Sequence, residues 1–101
     1  MYYILELMKT INILNITQKT SSNSDGDILY SYLSDNAVSD QVIIELNGSL
    51  NLSSSFLNSS VGKFIDVFGL DTFKQNVKLK TNKNTFSLIS KYVQAYSVIH
   101  G

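Results

Sequence analysis

Ser53, Ser54 and Ser55 are the residues of this chain best placed by type and spacing to do chemistry. They follow the apolar run Val42 to Leu46 and a turn around Gly48, and they precede Phe56 and Leu57. The stretch VIIELNGSLNLSSSFL reads as a strand, a loop and the start of an amphipathic helix. A hydroxyl at a helix head can cap the helix. It can also accept a phosphate or dock a partner, since free N–H groups and the helix dipole favour an anion there. Capping alone accounts for one serine at such a position.

Glu45 is the other unusual residue, a carboxylate in an apolar strand. Burying it is expensive unless it is paired or hydrogen-bonded. The expected partners are backbone N–H groups of the loop from Gly48 to Ser53, with Asn47 and Gly48 shaping that loop; a proton-handling role is the alternative. Asn47 and Asn51 read as turn formers. Catalytic and metal chemistry have little support. His100 is the only histidine and stands beside the C-terminus, where a frayed chain is expected. There is no cysteine, which removes disulfides, thiolate ligands and a cysteine nucleophile. Asp25-Gly26-Asp27 lacks the remaining ligands of a calcium loop. Gly48, Gly62 and Gly69 do not make a phosphate-loop spacing. The expectation is therefore no enzyme, no metal and no cofactor.

A chain of 101 residues is one domain, long enough to bury a two-layer core. Formal charge is zero, and every basic residue is lysine. A neutral chain without arginine lacks the bidentate phosphate forks of nucleic-acid readers. Lys74, Lys78, Lys80 and Lys83 read as a solvated sheet edge. No apolar run reaches the length of a membrane span, and MYYILELMK is a poor signal peptide. A cytoplasmic protein is expected, with no nucleic-acid or membrane partner. The wealth of Asn, Ser, Lys and Ile is compatible with an AT-rich bacterial, phage or mobile-element gene.

The elements that position the serines can be read along the chain. Residues 1 to 8 form an extension or an extra edge strand, with Tyr2, Ile4 and Leu7. Ile11, Ile13 and Ile16 mark a half-buried strand, followed by the polar loop 17 to 24. Ser24 or Asp25 caps a helix carrying Ile28, Leu29, Tyr32 and Leu33, which ends at Asp35-Asn36. Val42 to Leu46 is a strand buried on both faces. A helix from Ser54 shows the stripe Leu57, Val61, Phe64 and Phe68, widened by Phe56 and Ile65, with Gly69 as C-cap. Leu70 to Gln75 is a turn or half-helix. Val77 to Lys80 is a strand, and Thr85 caps a last helix whose apolar face is Phe86, Ile89, Tyr92, Val93 and Tyr96. Tyr30, Tyr32, Tyr92 and Tyr96 cannot all face inward. The order β-α-β-α-β-α, with a possible extra N-terminal strand, predicts a two-layer α/β domain. Its small, mostly parallel sheet carries helices mainly on one face.

At Val42 to Leu57 the sequence resembles the STAS superfamily of anti-sigma-factor antagonists. Glu45-Leu46-Asn47-Gly48 matches its strand end, and Ser53-Ser54-Ser55-Phe56-Leu57 stands where the family has Asp-Ser-Ser-Gly-Leu. The closer resemblance is to a bacterial STAS-like family of unknown function, through Ser54-Ser55-Phe56-Leu57-Asn58, Val61-Gly62 and Ser24-Asp25-Gly26. It covers about residues 9 to 97, leaving 98 to 101 as a tail. The resemblance implies a non-enzymatic regulatory domain that docks a protein partner through the loop and helix start from residue 47 to 58. The partner would be a histidine-kinase-like ATPase or another regulator. The contact or phosphoacceptor residues would be Ser53, Ser54, Ser55, Phe56 and Asn58, with Ser54 at the position phosphorylated in antagonists. Two departures stand out: Ser53 replaces the family Asp, and Phe56 replaces the family Gly. The alternative is a phage or mobile-element accessory or inhibitor protein using the fold as a binding scaffold. Both a monomer and a homodimer paired through a strand edge are left open.

Overall fold

Val42, Ile44 and Leu46 are buried, whereas Ile43 and Glu45 between them are only half-buried. Alternation of this kind belongs to a strand with one covered face, not two. It corrects the expectation of a strand buried on both sides. The computed structural model describes residues 9–47 and 50–100, with Lys9, Ile99 and His100 described as backbone only. The expected extra strand at residues 1 to 8, and Gly48, lie outside the described residues.

The sheet holds β1 (Lys9–Asn12), β2 (Val42–Glu45) and β3 (Val77–Lys80), all parallel and in chain order across the sheet. Ile11 pairs with Ile44, and Ile44 with Leu79, so these apolar residues share one face with Val42 and Val77. Chain-order strands explain the two layers. Successive crossovers of one hand, stepping the same way across the sheet, must lay their helices on the same face. The other face carries Thr10, Asn12, Ile43, Glu45, Lys78 and Lys80, which stay exposed or half-exposed.

The helical layer comprises α1 (Asn23–Asn36), α2 (Ser54–Leu57), α3 (Lys63–Phe68), α4 (Leu70–Asn76) and α5 (Lys83–His100). A π turn, Asn58–Gly62, joins α2 to α3 in one continuous helical run. Leu29 and Leu33 of α1, Phe56, Leu57, Val61, Phe64, Phe73, and Ile89 and Val93 of α5 form the core with the sheet. Phe56 and Phe64 are among the most deeply buried, and burial of each contributes about 1.5–3 kcal/mol.

The element ends refine the sequence reading. The first strand stops at Asn12, whose side chain accepts from the Leu14 N–H and opens a 3-10 turn at Ile13–Asn15. Helix α1 is capped by Ser22, not by Ser24 or Asp25. The Ser22 hydroxyl accepts from the Asp25 N–H, and the Asp25 carboxylate accepts from the Ser22 N–H, a capping box. Burial acts to raise the Asp25 pKa, but bonds from the Ser22 hydroxyl and the Ser21 and Ser22 amides, with Lys19 nearby, outweigh it and leave it lowered. The expected half-helix after Gly69 is a full α4. Gly69 has φ +96° and ψ 153°, a region glycine alone occupies comfortably, and this lets the chain turn from α3 into α4. Helix α5 is capped by Asn82, which accepts from the Thr85 N–H, while Thr85 itself is buried. Phe86 is 52% exposed and not part of the inward face. The helix continues through His100.

Candidate functional site at the serine helix

Parallel strands all point their carboxyl ends to one edge of the sheet, and loops at that edge are where open α/β sheets place their sites. The loops after β1 and β2 meet there. The Thr20 hydroxyl donates to the Asn51 carbonyl at 2.8 Å, and the Ser53 N–H donates to the Thr20 carbonyl at 3.3 Å. The Ser53 hydroxyl donates to the Ser21 carbonyl at 2.8 Å and accepts from the Phe56 N–H at 3.1 Å. Ser53 therefore caps α2 and fastens it to the start of α1. Its hydroxyl is committed in both directions.

Ser54 and Ser55 are exposed. They head the helical run, where N–H groups have no intrahelical acceptor. Of the three serines, these two present their side chains to solvent. Asn58, one turn on, is also exposed, and its side-chain oxygen accepts a bond from the Tyr92 hydroxyl of α5. Phe56 is a correction. It is 1% exposed and lies in the core, so it cannot touch a partner. The ring turns inward into the core and does not cover the helix head.

Among the described residues Glu45 faces Lys80 across the sheet; Gly48 and Ser49 of the loop expected to bind it lie outside the described residues. The Glu45 side chain is 38% exposed, on the open sheet face, 3.8 Å from the Lys80 ammonium. It shares a rung of the sheet with Asn12 and Lys80. No desolvation problem arises there, and an exposed pair of this kind contributes little to stability. Among the described residues the loop is supported from Thr20 and Ser21, and Asn47 contributes its carbonyl, which accepts from the Leu50 N–H at 3.2 Å.

The π turn is the feature the sequence reading missed. It packs on α1, α2, α3 and α5. Ser59 donates to the Asn23 carbonyl of α1 at 3.0 Å and back to the Ser55 carbonyl at 3.1 Å; Ser60 donates to the Phe56 carbonyl at 2.7 Å. Such back-bonding competes with the regular ladder and helps to widen it. Gly26 of α1 lies against this turn: a Cβ there would stand 2.5 Å from the Phe56 carbonyl oxygen. Gly62 similarly admits the Tyr92 and Tyr96 rings. The hydroxyl-glycine composition of 58 to 62 was visible, but its meaning depends on the facing helices.

Tyr92 and Tyr96 stack with ring centroids 5.6 Å apart, and the Tyr96 hydroxyl donates to the Asp66 carboxylate at 2.6 Å. Burial, the bond to Asp66 and its negative charge push the Tyr96 pKa up to about 12. A phenol that ionises later in the folded chain than at the ordinary 10.0 stabilises fully below pH 10, and that contribution is lost as pH rises toward about 12. Following phenolate absorbance against pH, we expect Asp66→Asn to bring the latest tyrosine ionisation down and Tyr96→Phe to remove it. Identical titrations in wild type and Asp66→Asn would refute the pairing.

Among the described residues there is no cluster of metal-ligating side chains, and no helix is long and apolar enough to cross a membrane. No curated protein matches the chain, and no solved structure does. A family model described as a STAS-like domain of unknown function matches residues 25–85. That span holds α1 from Asp25 onward, the sheet strands β2 and β3, and the whole serine helix. With most of its length matched and a parallel sheet layered with helices, the chain belongs to the STAS-like domain of unknown function family.

Proposed function

We propose that this chain is a non-enzymatic, cytoplasmic regulatory domain that docks a protein partner through the surface around residues 47 to 58. Ser54 or Ser55 is its modifiable hydroxyl. The observation that supports this most directly is the division of labour among the serines: Ser53 is held as cap and clasp, while Ser54 and Ser55 are exposed at the helix head. A phosphate there would meet the free N–H groups and positive dipole end of the helix. The contact residues in this reading are Asn47, Ser54, Ser55 and Asn58, with Phe56 holding the helix from beneath. The partner class is a histidine-kinase-like ATPase or another regulator, as in the antagonists the sequence resembles.

The test is co-purification of the tagged chain from its native host, beside a Ser54→Asp/Ser55→Asp variant, with bound proteins and phosphosites identified by mass spectrometry. The expected result is a partner held by the wild type and lost by the variant, with phosphate on Ser54 or Ser55. Circular dichroism should show both chains equally folded. A partner held equally by both, with no phosphate on either serine, would sink the reading.

A further inference from the structure

Ser54, Asn58, Gly62 and Asp66 follow one another at intervals of four residues along the continuous run from α2 to α3. Residues so spaced share one side of a helix. Facing the last three of them, α5 carries Tyr92 and Tyr96, also four apart. The contacts pair off in order. The Tyr92 hydroxyl donates to the Asn58 side-chain oxygen, both rings lie against Gly62, and the Tyr96 hydroxyl donates to Asp66 at 2.6 Å. The seam starts at the serine head and ends at Asp66, about 18 Å further along at 1.5 Å per residue. Asp66 is exposed, and both tyrosines are half-buried.

The Asp66 charge has no cation on it. Among the described residues the ion pair is Glu45 with Lys80. Lys63 stands three positions before Asp66, but its ammonium lies 4.5 Å from the Tyr30 ring centroid, against α1. The field of Asp66 reaches both phenols. Burial and that negative charge raise the Tyr92 pKa, and burial, the Asp66 bond and the same charge raise that of Tyr96. A carboxylate beside a pair of stacked aromatic rings is suited to a cationic side chain, through charge-assisted bonds to the acid and attraction to the ring electrons.

We propose that this end of the seam binds an arginine side chain of the protein that docks at the serine head. For its partner the site rests on the docking reading given above. Arginine fits better than lysine, because a planar guanidinium can both fork onto a carboxylate and lie along a ring, whereas an ammonium is a point charge. The chain contains no arginine, so a second copy cannot supply one. One partner can reach both ends, since an interface of ordinary size, about 800 Å² on each side, spans the length of the seam.

The experiment is titration of the isotope-labelled full chain with the peptide acetyl-Gly-Arg-Gly-amide, followed by NMR. The expected result is a saturable shift of the Asp66 amide and of the Tyr92 and Tyr96 ring protons. It should shrink with added salt and be lost in Asp66→Asn, which keeps an oxygen for the Tyr96 hydroxyl but removes the charge. Tyr92→Phe, which keeps the ring, should retain binding, and Tyr92→Leu should weaken it. Circular dichroism would check each fold; should Tyr92→Leu unfold, Asp66→Asn carries the test. No localised shift, or equal shifts in wild type and Asp66→Asn, would overturn the proposal. Equal binding of acetyl-Gly-Lys-Gly-amide would overturn arginine as the occupant. A partner captured through Ser54 and Ser55 without these shifts would remove the arginine site and leave the docking reading. Shifts at the seam, with a partner indifferent to the serine substitutions, would remove the docking reading and leave the arginine site.

Discussion

Phe56→Ala is expected to lower stability by about 3–5 kcal/mol, the usual cost of removing a buried aromatic ring. The ring is 1% exposed and packs with Leu29, Phe64 and the strand residues of the core. A domain of this size has only about 5–15 kcal/mol in hand, so the variant should be partly unfolded near physiological temperature. Urea denaturation followed by circular dichroism measures this directly. A midpoint equal to the wild type's would show that the ring is not a core residue. The consequence reaches function. Any partner lost in a Phe56 variant is lost through unfolding, whereas substitutions at the exposed Ser54 and Ser55 probe the docking surface without disturbing what supports it.

Gly26→Val is expected to cost about 3 kcal/mol, the upper end of the usual range for overpacking. A Cβ at this position would lie 1.8 Å from the Ser59 hydroxyl oxygen and 2.5 Å from the Phe56 carbonyl oxygen. The hydroxyl belongs to a side chain that can rotate away. The carbonyl belongs to the backbone of the helical run and cannot. Adding Ser59→Ala should therefore recover only part of the loss, a non-additive result expected of two residues in contact. Full recovery in the double variant would mean that α1 can move off the π turn freely. A wild-type melting temperature in the single variant would mean that α1 and the π turn do not cross this closely.

Residue patterns sufficed for the architecture because its causes are local. The apolar run at Val42, the helical stripe from Leu57 to Phe64 and the glycine at 69 each specify an element without reference to the rest of the chain. The order of those elements then leaves few topologies open, and a parallel sheet with one helical face is the simplest. The serine triplet was also legible as a helix head. Cap positions were less so. Ser22 with Asp25 has the spacing of a capping box, but Ser24 competes for the same reading in a loop crowded with serines.

What the sequence by itself determined is therefore the family, the α/β layering and the presence of hydroxyls at the start of the second crossover. Only the tertiary structure decided which hydroxyl is committed, because Ser53 is distinguished from Ser54 and Ser55 by the Ser21 carbonyl, a group thirty-two positions away in the chain. It likewise decided that Phe56 turns inward, that Glu45 faces Lys80 across the sheet, and that Gly26 and Gly62 are points of contact and not merely weak helix residues. Each of these depends on which surface faces which across the sheet and between helices. Periodicity along one chain segment carries the side-chain direction within an element, but not the identity of the neighbour that the direction meets.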